Sequence, residues 1–105
     1  MKDLELICFK IISQVGEAKS SYLQALKLVK EQKFEEASKL MEQGENAFLE
    51  GHHTHAELIQ KEACGDRVDV SLLLLHAEDQ LMAAEIIKIL VDELMELHGK
   101  DKEEE

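Results

Sequence analysis

The chain has 105 residues, enough for one ordinary domain, and is 45% hydrophobic and 33% charged but only 4% aromatic, with five Gly and no Pro. Sandwiches and barrels use β-branched and aromatic strands separated by Gly/Pro turns, so this composition nearly excludes them, and its supply of Leu, Ile, Val, Met and Ala disfavours disorder. Twelve Lys+Arg against 23 Asp+Glu leave a formal charge of −11, which suits a partner with a basic face and not nucleic acid or an anionic membrane leaflet.

What remains is an all-α protein. The first helical period joins Leu4, Ile7 or Cys8, Ile11, Val15, Tyr22, Leu26 and Val29. Gly16 interrupts it at a cost of about 1 kcal/mol relative to Ala, which predicts a close backbone contact there. Glu31-Gln32-Lys33 reads as a short polar turn. The second period runs through Phe34, Ala37, Met41, Gly44, Phe48, Gly51, His55 and Leu58 in alternating steps of three and four, with Gly44 and Gly51 small enough to admit a close neighbour. Gly65 is placed to stop this helix, and Asp66 or Asp69 to cap the next.

The third period, Val70 to Leu97, is apolar on two faces. One seam is Leu73, Ala77, Gln80, Ala84, Ile87, Val91 and Leu94; the other is Leu72, His76, Asp79, Ala83, Ile86, Leu90, Glu93 and Leu97. A three-helix monomer needs one such stripe for its own core, so the second predicts self-association about a shared axis. Gly99 is expected to end the helix, giving a single domain over 1–99 and an acidic tail over 100–105. Short loops predict an antiparallel three-helix bundle.

No apolar run of 18 residues occurs, and Met1-Lys2-Asp3-Leu4-Glu5 lacks the basic start of a secretory leader. The expectation is a cytoplasmic protein with no membrane insertion. Cys8 and Cys64 lie far apart without CxxC spacing and read as two buried small hydrophobes, not as a disulfide.

Five His include the cluster His52, His53 and His55, which has no Cys or second cluster to complete a metal site. Glu50 and His53 form a lone Glu-x-x-His, and a di-iron bundle needs that motif twice. His53, and His98 near a helix C-terminus, read as ordinary solvent-facing histidines. His76 differs, because it follows Ser71-Leu72-Leu73-Leu74-Leu75 and so sits in a strongly apolar segment, one turn from Asp79 and Gln80. One reading is a core histidine paired to Asp79. The other is a nucleophile, since neutral imidazole is available near pH 7 to attack phosphorus and hold the phosphoryl group covalently. Asp79 lies on an apolar seam, where a lone carboxylate is expensive to bury. Copies of it converging on an oligomer axis would recruit a cation, and a wet cleft would make one unnecessary.

Gly51 to Ala63, together with Val70-Ser71-Leu72-Leu73-Leu74-Leu75-His76-Ala77-Glu78-Asp79-Gln80-Leu81-Met82, resembles the lactose/cellobiose (chitobiose) class of enzyme IIA from the bacterial sugar phosphotransferase system. Val15-Gly16-Glu17-Ala18-Lys19-Ser20 is similar to that family's first helix. The resemblance implies a homotrimer with the third helices about the axis, a nine-helix bundle in all. It implies that His76 accepts a phosphoryl group through Nε2 from the phosphocarrier HPr and hands it to a cysteine of a IIB component. A IIC permease would couple that transfer to disaccharide uptake. Asp79 would meet its copies around a divalent metal ion, with magnesium expected. Calcium shares that oxygen chemistry, and a nearby imidazole would admit a transition metal.

An accessible apolar cleft around His76, edged by Leu72, Leu75 and Met82, is expected for partner docking. Where this chain has His76-Ala77-Glu78-Asp79-Gln80, the family commonly reads His-Ala-Gln-Asp-His, and it commonly has Gln at the place of His55. A compensating exchange follows as an expectation: His55 and Gln80 hydrogen-bond each other and support His76. The alternative function is a non-catalytic trimeric helical adaptor or a regulatory paralogue, which shares every periodicity and differs only in what His76 does.

Overall fold

The computed structural model describes residues 2–104, and the side chains of 3–99. Three helices make up the chain: α1 (Lys2–Lys30), α2 (Phe34–Ala63) and α3 (Leu72–Glu104). Asp3 and Glu5 in the first turn of α1, and Lys27 and Lys30 in its last, complement the helix dipole. The expected turn at 31–33 is present, with Gln32 in the left-handed region at φ 64°. The amides of Gln32 and Lys33 donate to Val29 O and Leu28 O, both at 2.9 Å, and so satisfy the end of α1.

Gly65 stops α2 as expected, at φ +96°, with its amide on Glu62 O and that of Asp66 on Lys61 O, each 3.0 Å. Neither Asp66 nor Asp69 caps α3. Ser71 does, its Oγ accepting from the amide of Leu74 at 3.1 Å, and Asp69 instead pairs with Arg67 in solvent. At the other end α3 passes through Gly99 and continues to Glu104. The helix-favouring Lys and Glu beyond Gly99 outweigh the modest cost of one glycine, so the expected stop is not there.

α1 is the central element. Cys8, Ile11, Val15, Ala18, Tyr22, Ala25 and Val29 are all buried along one stripe. α2 lays Ala37, Met41, Phe48 and Leu58 onto it, and α3 lays on Leu74, Ala77, Leu81, Ala84 and Val91. α2 and α3 touch each other sparsely. The α1–α2 pair is antiparallel and close because two glycines allow it. A Cβ on Gly44 would stand 2.6 Å from Tyr22 Cε1, and one on Gly51 2.7 Å from Val15 Cγ1. The expectation of close contact at Gly16 fails, since nothing lies within 4 Å of the place its Cβ would take; nothing in the structure explains that glycine.

Beside this core, Tyr22 Oη meets Glu45 Oε2 at 3.5 Å, and Lys88 Nζ bridges Glu45 at 3.3 Å and Asp92 at 3.6 Å. Burial, with the Glu45 carboxylate adding to it, pushes the Tyr22 phenol well above its ordinary value. Burial works against the charge of Lys88, but its bonds to Glu45 and Asp92 prevail and hold its pKa up.

Candidate functional site

Successive residues on α3 point about 100° apart, so its contacts define two flanks around the buried stripe. Gln80 reaches α1, where Lys19 Nζ donates to its Oε1 at 3.2 Å. Glu78 reaches α2, where its Oε1 lies 2.9 Å from His55 Nε2. His76, four residues before Gln80, shares the α1-facing flank and is exposed. It is therefore not a core histidine. Asp79 is exposed too, on the face directed away from α1.

The exchange expected between His55 and Gln80 is not what the structure contains. His55, on α2, meets one flank of α3 through Glu78, whereas Gln80 lies on the other flank and bonds Lys19 of α1. The resemblance had placed a His on one helix and a Gln on the next, and helical rotation between positions 78 and 80 separates them. The residue in the sequence that marks the pairing is Glu78. It stands where the family's motif has Gln, as does His55, so an amide pair there would become an imidazole–carboxylate pair here. His55 keeps 15% of its side chain exposed and Glu78 45%, so this bond is shielded on one side only.

Around His76 the outward side of α3 is apolar and open. Leu72 is 82% exposed, Met82 61% and Leu97 57%, with Leu75, Ile86, Ile89 and Leu90 also more than half exposed. The first seam behaves differently until its last member: Ala77, Ala84 and Val91 are buried and Leu73, Gln80 and Ile87 half-buried, whereas Leu94 is exposed. Leu75, Glu78 and His55 border a groove of about 230 Å³ between α2 and α3, floored by Leu58 and Leu74. A larger open hollow of about 560 Å³ lies at the end of the bundle, between Leu4, Ile7, Leu58, Lys61 and Arg67, away from His76.

Among the described residues no group of three His, Cys, Asp or Glu side chains is placed to hold a metal within one chain. His53 pairs with Glu57 at 3.2 Å in solvent, and His52 lies against the Phe48 ring at 6.0 Å between centroids. Cys8 is buried, and that burial, with Glu78 and Glu5 nearby, raises its thiol pKa. Cys64 is exposed, contrary to its expected burial, because it follows the last turn of α2 where the chain leaves the core.

Fold and site together describe a helical bundle that displays one imidazole beside an uncovered apolar face. The model of the family "PTS system, Lactose/Cellobiose specific IIA subunit" matches residues 6–99. The lichenan-specific phosphotransferase enzyme IIA component of Bacillus subtilis is 36% identical over 98% of this chain and 94% of its own length. The oligo-beta-mannoside-specific EIIA component of the same organism is 41% identical over 89% of this chain and 84% of its own. Among solved structures, the cellobiose-specific enzyme IIA from Bacillus anthracis superposes with a TM-score of 0.91 at 38% identity, covering 95% of this chain and 92% of that one. The IIA(chitobiose) chain of a complex with HPr from Escherichia coli gives 0.81 at 36% identity, covering 94% and 96%.

The chain belongs to the lactose/cellobiose-specific IIA family of the sugar phosphotransferase system. It is a phosphotransferase component, a IIA protein of the lactose/cellobiose/chitobiose type. No helix among the described residues is long and apolar enough to cross a membrane.

Proposed function

We propose that this IIA protein carries phosphate on His76, taking it from HPr and giving it to a IIB cysteine during disaccharide uptake, in the cytoplasm. The observation that carries the reading is the exposure of His76 beside an open apolar face, within a family that transfers phosphoryl groups. Phosphoryl transfer passes through a loose transition state, so the protein's part is positioning and charge management. Neutral His76 attacks through Nε2, the atom the family resemblance implies, and the exposure of the residue leaves room for a docked donor. Leu72, Leu75 and Met82 supply an apolar seat for both partners. A relative of this fold has been solved with HPr bound, which supports HPr as the donor. A charge of −11 favours encounter with a basic face, so added salt is expected to slow transfer.

The outward face of α3 also supports the homotrimer. Beyond the seat formed by Leu72, Leu75 and Met82, the exposed residues Ile86, Ile89, Leu90 and Leu97 carry the apolar face further along the helix, and a closed assembly of identical copies covers such a stripe on every subunit. Asp79 alone does not make a metal site. Three copies would offer oxygen ligands that suit magnesium, which would neutralise them and hold the axis together.

Incubation with phosphoenolpyruvate, enzyme I and HPr is expected to place an acid-labile, alkali-stable phosphate on the wild type and none on His76→Ala. Equal absence of label from both would leave the adaptor as the surviving function.

A further inference from the structure

We propose that Lys19 is a phosphoryl-binding residue, its ammonium moving from the Gln80 amide onto the phosphate oxygens when His76 is charged. This rests on the phosphocarrier reading above. Lys19 Nζ donates to Gln80 Oε1 at 3.2 Å, and among the described residues Lys19 forms no ion pair. Gln80 is four residues after His76, so the two side chains stand one above the other on the flank that faces α1. Side chains on a helix lean toward its N-terminus, which lays the Gln80 amide over the turn where His76 sits. Lys19 is half-buried, and its bond to Gln80 holds the ammonium on the residue one helical turn from the acceptor.

The charge inventory makes that cation useful. Phosphorylation adds negative charge to a protein already at −11, on a helix where Glu78 and Asp79 follow the acceptor closely. Lys88 is the instructive contrast, because it is held by two carboxylates, Glu45 and Asp92, and would have to break ion pairs to move. Lys19 rests on a neutral amide oxygen, which it exchanges for a phosphate oxygen with a gain in charge-assisted bonding. In the transfer the Nε2 lone pair of His76 forms the bond to phosphorus as the bond from phosphorus to the donor breaks, its electrons remaining with the donor. Lys19 gains or loses no proton in this step and acts on the product's charge.

The position of equilibrium between phosphorylated HPr and the phosphorylated IIA protein tests this, because it is independent of how fast the partners meet. Lys19→Met is expected to lower the equilibrium ratio about tenfold, the lower end of what one charge-assisted hydrogen bond contributes. Lys19→Arg keeps the charge and is expected within about twofold of wild type, as is Lys39→Met, which makes the same change in net charge on α2, at a position exposed to solvent. Circular dichroism and the thermal midpoint confirm that each variant is folded. A ratio for Lys19→Met equal to that of Lys39→Met would overturn the proposal while leaving the carrier reading intact. A wild type that takes no phosphate would overturn the carrier reading, and Lys19's part with it.

Discussion

The two long faces of α3 are comparably apolar and are built from different residues. The side against α1 is rich in small ones, Ala77 and Ala84 with Leu81 and Val91, whereas the side away from it carries Leu72, Leu75, Met82, Ile86, Ile89 and Leu90. Close helix packing sets the size of the first group. No neighbour within the chain limits the second. Hydrophobicity alone therefore does not locate the core of this protein: Leu74 and Leu81 are buried on the packed side, while Leu72 and Leu75, of the same size, stand open on the other.

A charge placed on each face in turn is the strongest way to break this contrast. Ala84→Asp puts an unpaired carboxylate into a fully buried site and is expected to cost several kcal/mol, on the order of the whole stability of a small domain. Loss of the helical signal at room temperature would show it. Ile86→Asp, two residues on and pointing outward, is expected to leave the helical signal of the subunit in place and reduce its mass in sedimentation to that of a monomer. If Ile86→Asp sediments like the wild type, the outer face is not where the copies meet.

The flanks sharpen the contrast on a smaller scale. His55→Ala and Glu78→Gln, alone and combined, are expected to show a coupling energy of about 1 kcal/mol, kept low because Glu78 is partly open to solvent. The combination of His55→Ala with Gln80→Ala is expected to be additive, as their partners differ. Additivity for the first pair as well would show that the 2.9 Å contact contributes nothing measurable.

The smallest expected effect concerns alkali. The phenol of Tyr22 is raised above the 10.0 of a free tyrosine, so the folded state holds its proton where the unfolded chain releases it. Its contribution is fully present below about pH 10 and declines as pH rises beyond that value toward the folded pKa. Tyr22→Phe, which has no phenol to ionise, is expected to flatten that decline in a urea-midpoint series. A parallel slope in both proteins would place the alkaline sensitivity elsewhere, with Lys88 the next group to examine.

Much of the fold is legible in the spacing of apolar residues. Most of the α1 stripe from Cys8 to Val29 and of the α2 stripe from Ala37 to Leu58 is buried where periodicity puts it, although Ala18 and Ala25 are buried without belonging to the expected stripe and Leu26 and His55 are only half-buried. The left-handed Gly65 ends α2 as a glycine there should. Local chemistry was less readable. Ser71 displaced Asp66 and Asp69 as the cap, and the helix ran through Gly99, because each depends on a balance of about 1 kcal/mol between neighbouring choices. The partners of His55 and Gln80 were not readable at all. Which side chain an imidazole meets depends on the rotation of one helix relative to another, and seams describe faces with a precision of about one residue. Lys19 is unmarked in the sequence for the same reason: it is one lysine in a charged chain, and only the packing of α1 on α3 sets it against Gln80.

The arrangement of three helices around α1 has a mechanical consequence. Since α2 and α3 both lean on α1 and touch each other sparsely, the exposed connection between them bears little of the load. A protease that cut it near Arg67 would leave two fragments, 1–67 and 68–105, still clasped through the α1 stripe. The same reasoning makes the amino-terminal helix the keystone: without it, the other two would have almost no common ground on which to fold.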